Sequence, residues 1–82
     1  MQTQYFKTEA VTSEISSVRI TNIKVYDYLL MLMKANFGFE RYILKKGLTS
    51  DGSYLIKLAV PKLTLDRHLD ANVIKMLKSI VE

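Results

Sequence analysis

Asn22 to Gly38 reads N-I-K-V-Y-D-Y-L-L-M-L-M-K-A-N-F-G, and its reading decides the fold. Asn22 is a good helix N-cap, and Gly38 stands where a left-handed C-terminal cap belongs. At 100° per residue the charged side chains Lys24, Asp27 and Lys34 gather within roughly a quarter of the circumference. The rest is apolar: Ile23, Val25, Tyr26, Leu29, Leu30, Leu32, Met33 and Phe37. An ordinary surface helix carries an apolar stripe about 100° wide, and this one is apolar over about twice that. Two of its sides must therefore be covered.

The material for covering them is limited. The chain has 82 residues, 49% hydrophobic and 24% charged, which is the composition of one small globular domain spanning 1–82. One small sheet and one further helix are a thin supply for so much apolar surface. This argues for a homodimer that meets its own copy through Tyr26, Leu30, Met33 and Phe37.

Upstream of the helix, Ser17 to Thr21 (S-V-R-I-T) alternates, with Val18 and Ile20 on one face and Arg19 on the other. It reads as a half-buried strand. Residues 1–16 read as a loosely ordered arm or an edge strand: Thr3 to Thr8 is rich in strand formers, with Tyr5 or Phe6 facing inward. Thr8 followed by E-A-V-T-S-E fits a helical turn as well, and Ser13 to Ser17 reads as a loop.

Downstream of Gly38 the period changes from 3.6 to 2. Phe39–Leu48 and Ser53–Val60 read as two strands joined through T-S-D-G-S. A three-residue loop, Ser50-Asp51-Gly52 with glycine in the left-handed position, pairs Leu48 with Tyr54, Leu44 with Leu58 and Tyr42 with Val60. One face is then uniformly apolar. A two-residue Asp-Gly turn sets Thr49 opposite Tyr54 and Lys45 opposite Leu58, which mixes the faces, so the three-residue loop is preferred. Pro61 ends the second strand. Thr64 reads as the cap of a last helix, 65–81, whose stripe is Leu65, Leu69, Val73, Met76 and Ile80 with Leu77 beside it. The expected fold is α+β, in the order (β)-β-α-β-β-α, with an antiparallel hairpin 39–60 packed on the central helix 23–37 and the C-terminal helix.

The motifs exclude more than they assign. No phosphate-binding glycine loop, dinucleotide fingerprint, nucleophile elbow or His-Glu-x-x-His is present. His68, the single histidine, stands between Asp66 and Asp70, and on one helix those aspartates share a face from which the imidazole points away. The reading is an exposed imidazole, no metal site, no cofactor and no enzyme. The absence of cysteine fits a reducing, cytoplasmic setting. The longest apolar run, Tyr28 to Met33, is far below the ~20 residues that span a bilayer, so no membrane partner is expected.

Met31, Met33 and Met76 fit an adaptable surface or simple core filling. Tyr26, Tyr28, Phe37, Phe39, Tyr42 and Tyr54 fit base stacking or a core. The feature that points outward is charge. Between residues 40 and 62 the basic side chains Arg41, Lys45, Lys46, Lys57 and Lys62 face only Glu40 and Asp51, within a chain of net charge +4. In the preferred register Arg41, Ile43 and Lys45 share the second face of the hairpin with Leu55, Lys57 and Ala59, and Lys45 lies opposite Lys57. A basic two-stranded ribbon is suited to nucleic-acid phosphates, although lysines also guard sheet edges against aggregation. The expected function is a non-catalytic regulator that binds nucleic acid as a dimer. The alternative is a protein-interaction module, an inhibitor or adaptor, that meets a partner protein through an apolar helix surface.

Overall fold

A computed structural model describes residues 5–81; of the strand expected over Thr3–Thr8, Thr3 and Gln4 lie outside the described residues. The elements run β1 (Phe6–Ala10), β2 (Ser16–Ile20), α1 (Ile23–Met31), a π-turn (Leu32–Asn36), a 3-10 turn (Glu40–Tyr42), β3 (Ile43–Leu48), β4 (Tyr54–Leu58), α2 (Lys62–His68) and α3 (Ala71–Val81). The four strands form one antiparallel sheet in the order β1-β2-β4-β3. The fold is α+β, and the helices lie to one side of the sheet: α1 packs on β2 and β4, and α2 on β1 and β2.

The central helix forms as its ends dictate. The Asn22 side chain accepts from the Lys24 amide at 2.8 Å. At the far end Gly38 has φ 71°, and the Phe39 amide reaches back to the Met33 carbonyl at 2.7 Å, which satisfies a carbonyl the helix would leave open. Val25, Tyr26, Leu29, Leu32 and Met33 are buried, so the wide apolar surface is indeed covered on two sides. Both covers come from the chain itself: the sheet on one side and α3 on the other.

That arrangement depends on a break which the periodic stripe hid. The expected single helix 65–81 is two helices, and Thr64 lies inside α2 rather than capping it. Leu69 leaves the helical region at φ −91°, ψ 59°. The Asp70 carboxylate then accepts from the amides of Asn72 (3.0 Å) and Val73 (3.4 Å) and starts α3 anew. The bend frees α3 to pack on α1 while Leu65 of α2 stays buried near the sheet. The break also separates Asp66 from Asp70, which an unbroken helix would have made neighbours.

The β3–β4 loop follows the three-residue form. Leu48 pairs with Tyr54, the Thr49 amide donates to the Ser53 carbonyl at 2.7 Å, and Gly52 has φ 87°. The far end of the hairpin departs from expectation. Phe39 to Tyr42 are not strand: Phe39 is buried in the core and Glu40–Tyr42 form the 3-10 turn. A bulge at Leu44 puts Ile43, not Leu44, opposite Leu58. Past the bulge the alternation is reversed, so Ile43 packs against the core and Leu44 is turned out, 54% exposed. Such a bulge is tolerated because β3 is an edge strand.

β1 pairs with β2 along its whole length. The hairpin between them is closed by the Val11 and Thr12 amides donating to the Ile15 carbonyl, and the Thr12 hydroxyl accepts from the Glu14 and Ile15 amides. Residues 6–10 are thus an edge strand, and β2 starts at Ser16 instead of within a loop that runs to Ser17.

Candidate nucleic-acid interface

The side of the sheet away from the helices has no covering element among the described residues, and the strand registers fix what it carries. Side chains alternate across a strand, so the residues that pair with Lys45, Arg19 and their neighbours line up in rows. One row runs Glu9, Ser17, Lys57, Lys45; the next runs Lys7, Arg19, Leu55, Gly47. The opposite side presents Val18, Ile20, Ile56 and Leu58, all fully buried under the helices.

Two cross-strand pairs on the open face join like charges: Lys45 with Lys57, and Lys7 with Arg19. The first opposition follows from the hairpin register. The second was missed, because Lys7 lies in the stretch whose register no sequence pattern supplies; the alternation of S-V-R-I-T had already placed Arg19 on this side. Glu9 is the one acidic residue in the two rows.

Arg19 is anchored. Its Nη1 donates to Asp51 Oδ2 at 2.8 Å and to Ser53 Oγ at 3.1 Å. The Asp51 carboxylate is itself held by the Thr49 hydroxyl and by the hydroxyl and amide of Ser53. Those hydrogen bonds, with the Arg19 charge adding to them, keep its carboxyl well below the usual carboxylate range. Lys7, Lys45 and Lys57 make no ion pair among the described residues.

The other basic residues expected in the site are dispersed. Arg41 lies in the 3-10 turn, off the ladder, because the bulge and the turn replace the strand end that would have aligned it with Lys45. Lys46 pairs with Ile56 and belongs to the helix side of the edge. There the Lys34 amine, as hydrogen-bond partner and as a like charge, lowers the Lys46 pKa. Lys62 opens α2 and pairs with Asp66 at 2.7 Å. Burial pushes the Asp66 carboxyl up, but the Lys62 ammonium and the Thr8 hydroxyl (2.8 Å) outweigh it and hold the group below its ordinary value. Of the five, only Lys45 and Lys57 share the open face.

The expected interface residues are similarly divided. Tyr26 (8% exposed) and Met33 (0%) are covered by their own chain, and Leu30 and Phe37 are half-buried against the core. Tyr26 stacks on Tyr54 at 4.7 Å, and burial, ahead of the nearby Asp27 charge, raises its phenol pKa. With α3 over α1, the buried part of the helix is covered within the chain, while Ile23 and Met31 stay exposed and Leu30 is half-buried. The most exposed large apolar side chains lie off this helix, at Leu48 and Leu44 on β3 and Leu63 on α2.

His68 is not the exposed imidazole expected. It is half-buried, its ring 4.9 Å from those of both Phe37 and Phe39, with Nδ1 2.9 Å from the Thr64 carbonyl. No group of three or more metal-ligating side chains occurs among the described residues, and no helix there is long and apolar enough to cross a membrane. No protein-family model, curated protein or solved structure matches the chain.

Proposed function

We propose that the chain is a non-catalytic binding domain that holds the phosphates of a nucleic acid on its open sheet face. One observation carries the reading: the face bears two opposed cation pairs, Lys7–Arg19 and Lys45–Lys57. Like charges directly opposite one another in a ladder cost stability. A phosphate placed between them converts that repulsion into attraction. The midpoints of the two pairs are two strand spacings and one pleat repeat apart, about 12 Å, so a polymer with repeated charges engages both where a single small anion engages one. Leu55, lying between them in the register, adds apolar contact. Contacts of this kind position a phosphate backbone without reading bases, so weak dependence on sequence is expected.

Amide shift mapping tests the assignment. With a short oligonucleotide, perturbations are expected at residues 7, 17, 19, 45, 55 and 57, with α3 unmoved. Shifts concentrated on α3 or on Leu44 and Leu48 would overturn it.

A second reading, a protein-interaction module, draws on the free edge of β3. Leu44 and Leu48 are 54% and 67% exposed there, and an edge strand can accept a strand from a partner. Lys45 and Lys46 on the same strand disfavour pairing with a second copy, so this reading calls for an acidic partner segment. Light scattering gives the assembly state: a mass near 9.4 kDa means a monomer, and twice that restores the dimer.

A further inference from the structure

At the Lys7–Arg19 end of the open face lies a recess of about 210 Å³, lined by Tyr5, Phe6, Lys7, Arg19 and Thr21. It is smaller than the ~300 Å³ at which enclosed small-molecule pockets begin. Its size suits one unit of a polymer whose neighbours continue across the sheet. Its chemistry is that of a nucleotide site. Tyr5, packed in part against the core, lines the recess with a half-buried aromatic ring, Lys7 and Arg19 supply cations, and Thr21 adds a hydroxyl. Arg19 is held ready, because both of its bonds to the β3–β4 loop use Nη1 and leave Nε and Nη2 to donate elsewhere. Of the other aromatic side chains, Tyr26 stacks on Tyr54, Phe37 packs on Phe39 and His68, Tyr42 meets Phe39, and Phe6 and Tyr28 pack against the core.

We infer that this recess receives one unstacked base of a single-stranded nucleic acid, with Tyr5 as the stacking surface and Lys7 and Arg19 holding the flanking phosphates. The inference rests on the reading of the open face given above and names its substrate class. A duplex keeps its bases stacked internally and has no use for an aromatic-lined recess, whereas every base of a single strand offers a π-face. The strand then crosses the sheet from the recess towards Lys57 and Lys45.

Fluorescence anisotropy with labelled oligothymidine, oligouridine and a duplex, at about 50 mM salt, tests this. The variants are Tyr5→Leu, which keeps apolar bulk but removes the π-face, Tyr5→Phe, which keeps the π-face, and Lys45→Gln/Lys57→Gln. The wild type should prefer the single strands. Tyr5→Leu should weaken single-strand binding by about fivefold or more, the usual loss for one stacked base, and leave duplex binding nearly unchanged. Tyr5→Phe should bind as the wild type does. Equal losses on single strand and duplex, a duplex preference, or equal loss in Tyr5→Phe would overturn the inference. If binding depends on Lys45 and Lys57 but not on Tyr5, this inference fails and the phosphate-binding face survives. If the wild type binds none of the three, both fail. Oligothymidine and oligouridine distinguish DNA from RNA as the source of the strand.

Discussion

Replacing Lys45 by glutamine should make the protein more stable. Lys45 lies directly opposite Lys57 on the open face, and neither has an acidic partner among the described residues. Cross-strand Cβ atoms are about 4.5–5.5 Å apart, and flexible lysines splay to about 6 Å or more between charges. In water, two unit charges at about 6 Å repel by about 0.7 kcal/mol, and physiological salt roughly halves that. Lys45 is exposed, so glutamine sacrifices little packing. The expected gain is about 0.3–0.7 kcal/mol, a rise of about 1–5 °C in melting temperature for a domain of this size. A built-in comparison sharpens the test. Lys7 faces Arg19, whose charge is already offset by Asp51 at 2.8 Å, so Lys7→Gln should gain less. Thermal melts of both variants at low and high salt check this: the gains should shrink towards zero as salt rises. A Lys45→Gln variant that is no more stable at low salt, or whose gain survives high salt, would refute the claim that the open face is electrostatically strained.

Gly52→Val should cost about 1–2 kcal/mol or more in a denaturant melt. No atom lies within 4 Å of the added Cβ, so the cost is purely that of the backbone at φ 87°, and a neutral result would contradict the loop geometry. Asp70→Ala removes the α3 cap and should cost about 0.5–2 kcal/mol, whereas within an unbroken helix it would cost nothing. Asp51 should titrate by carboxyl NMR well below the ordinary value of about 3.9. Because its folded pKa is depressed, its contribution is fully present above that ordinary value and lost only as pH falls through the folded pKa. A stability loss already under way near neutral pH, tied to Asp51, would contradict that sign.

Much of this architecture was legible because its signals are local. Asn22 and Gly38 bracket the central helix through backbone bonds made within a few residues, and Gly52 fixes the hairpin loop by its own φ. What escaped depends on distant partners or on competing local choices. The run Leu65, Leu69, Val73, Leu77 keeps helical spacing straight through the break, so periodicity conceals it; Asp70 followed by two amides it can accept from was the available sign. The bulge at Leu44 answers to whether Ile43 or Leu44 packs better under the helices, a question of three-dimensional fit. The site was half visible for the same reason. Lys45 and Lys57 meet through a short loop, whereas Lys7 meets Arg19 through a hairpin whose turn residues carry no glycine or proline to announce it.

The most direct test is the dependence of single-strand affinity on salt, for the wild type and for Lys7→Gln/Lys45→Gln/Lys57→Gln. Each phosphate neutralised contributes about 0.7 to the slope of log affinity against log salt on a single strand. The triple change should therefore flatten the slope by up to about two units while the fold is kept or stabilised. Absence of wild-type binding at about 50 mM salt, or a slope that the triple change leaves unaltered, would contradict the account.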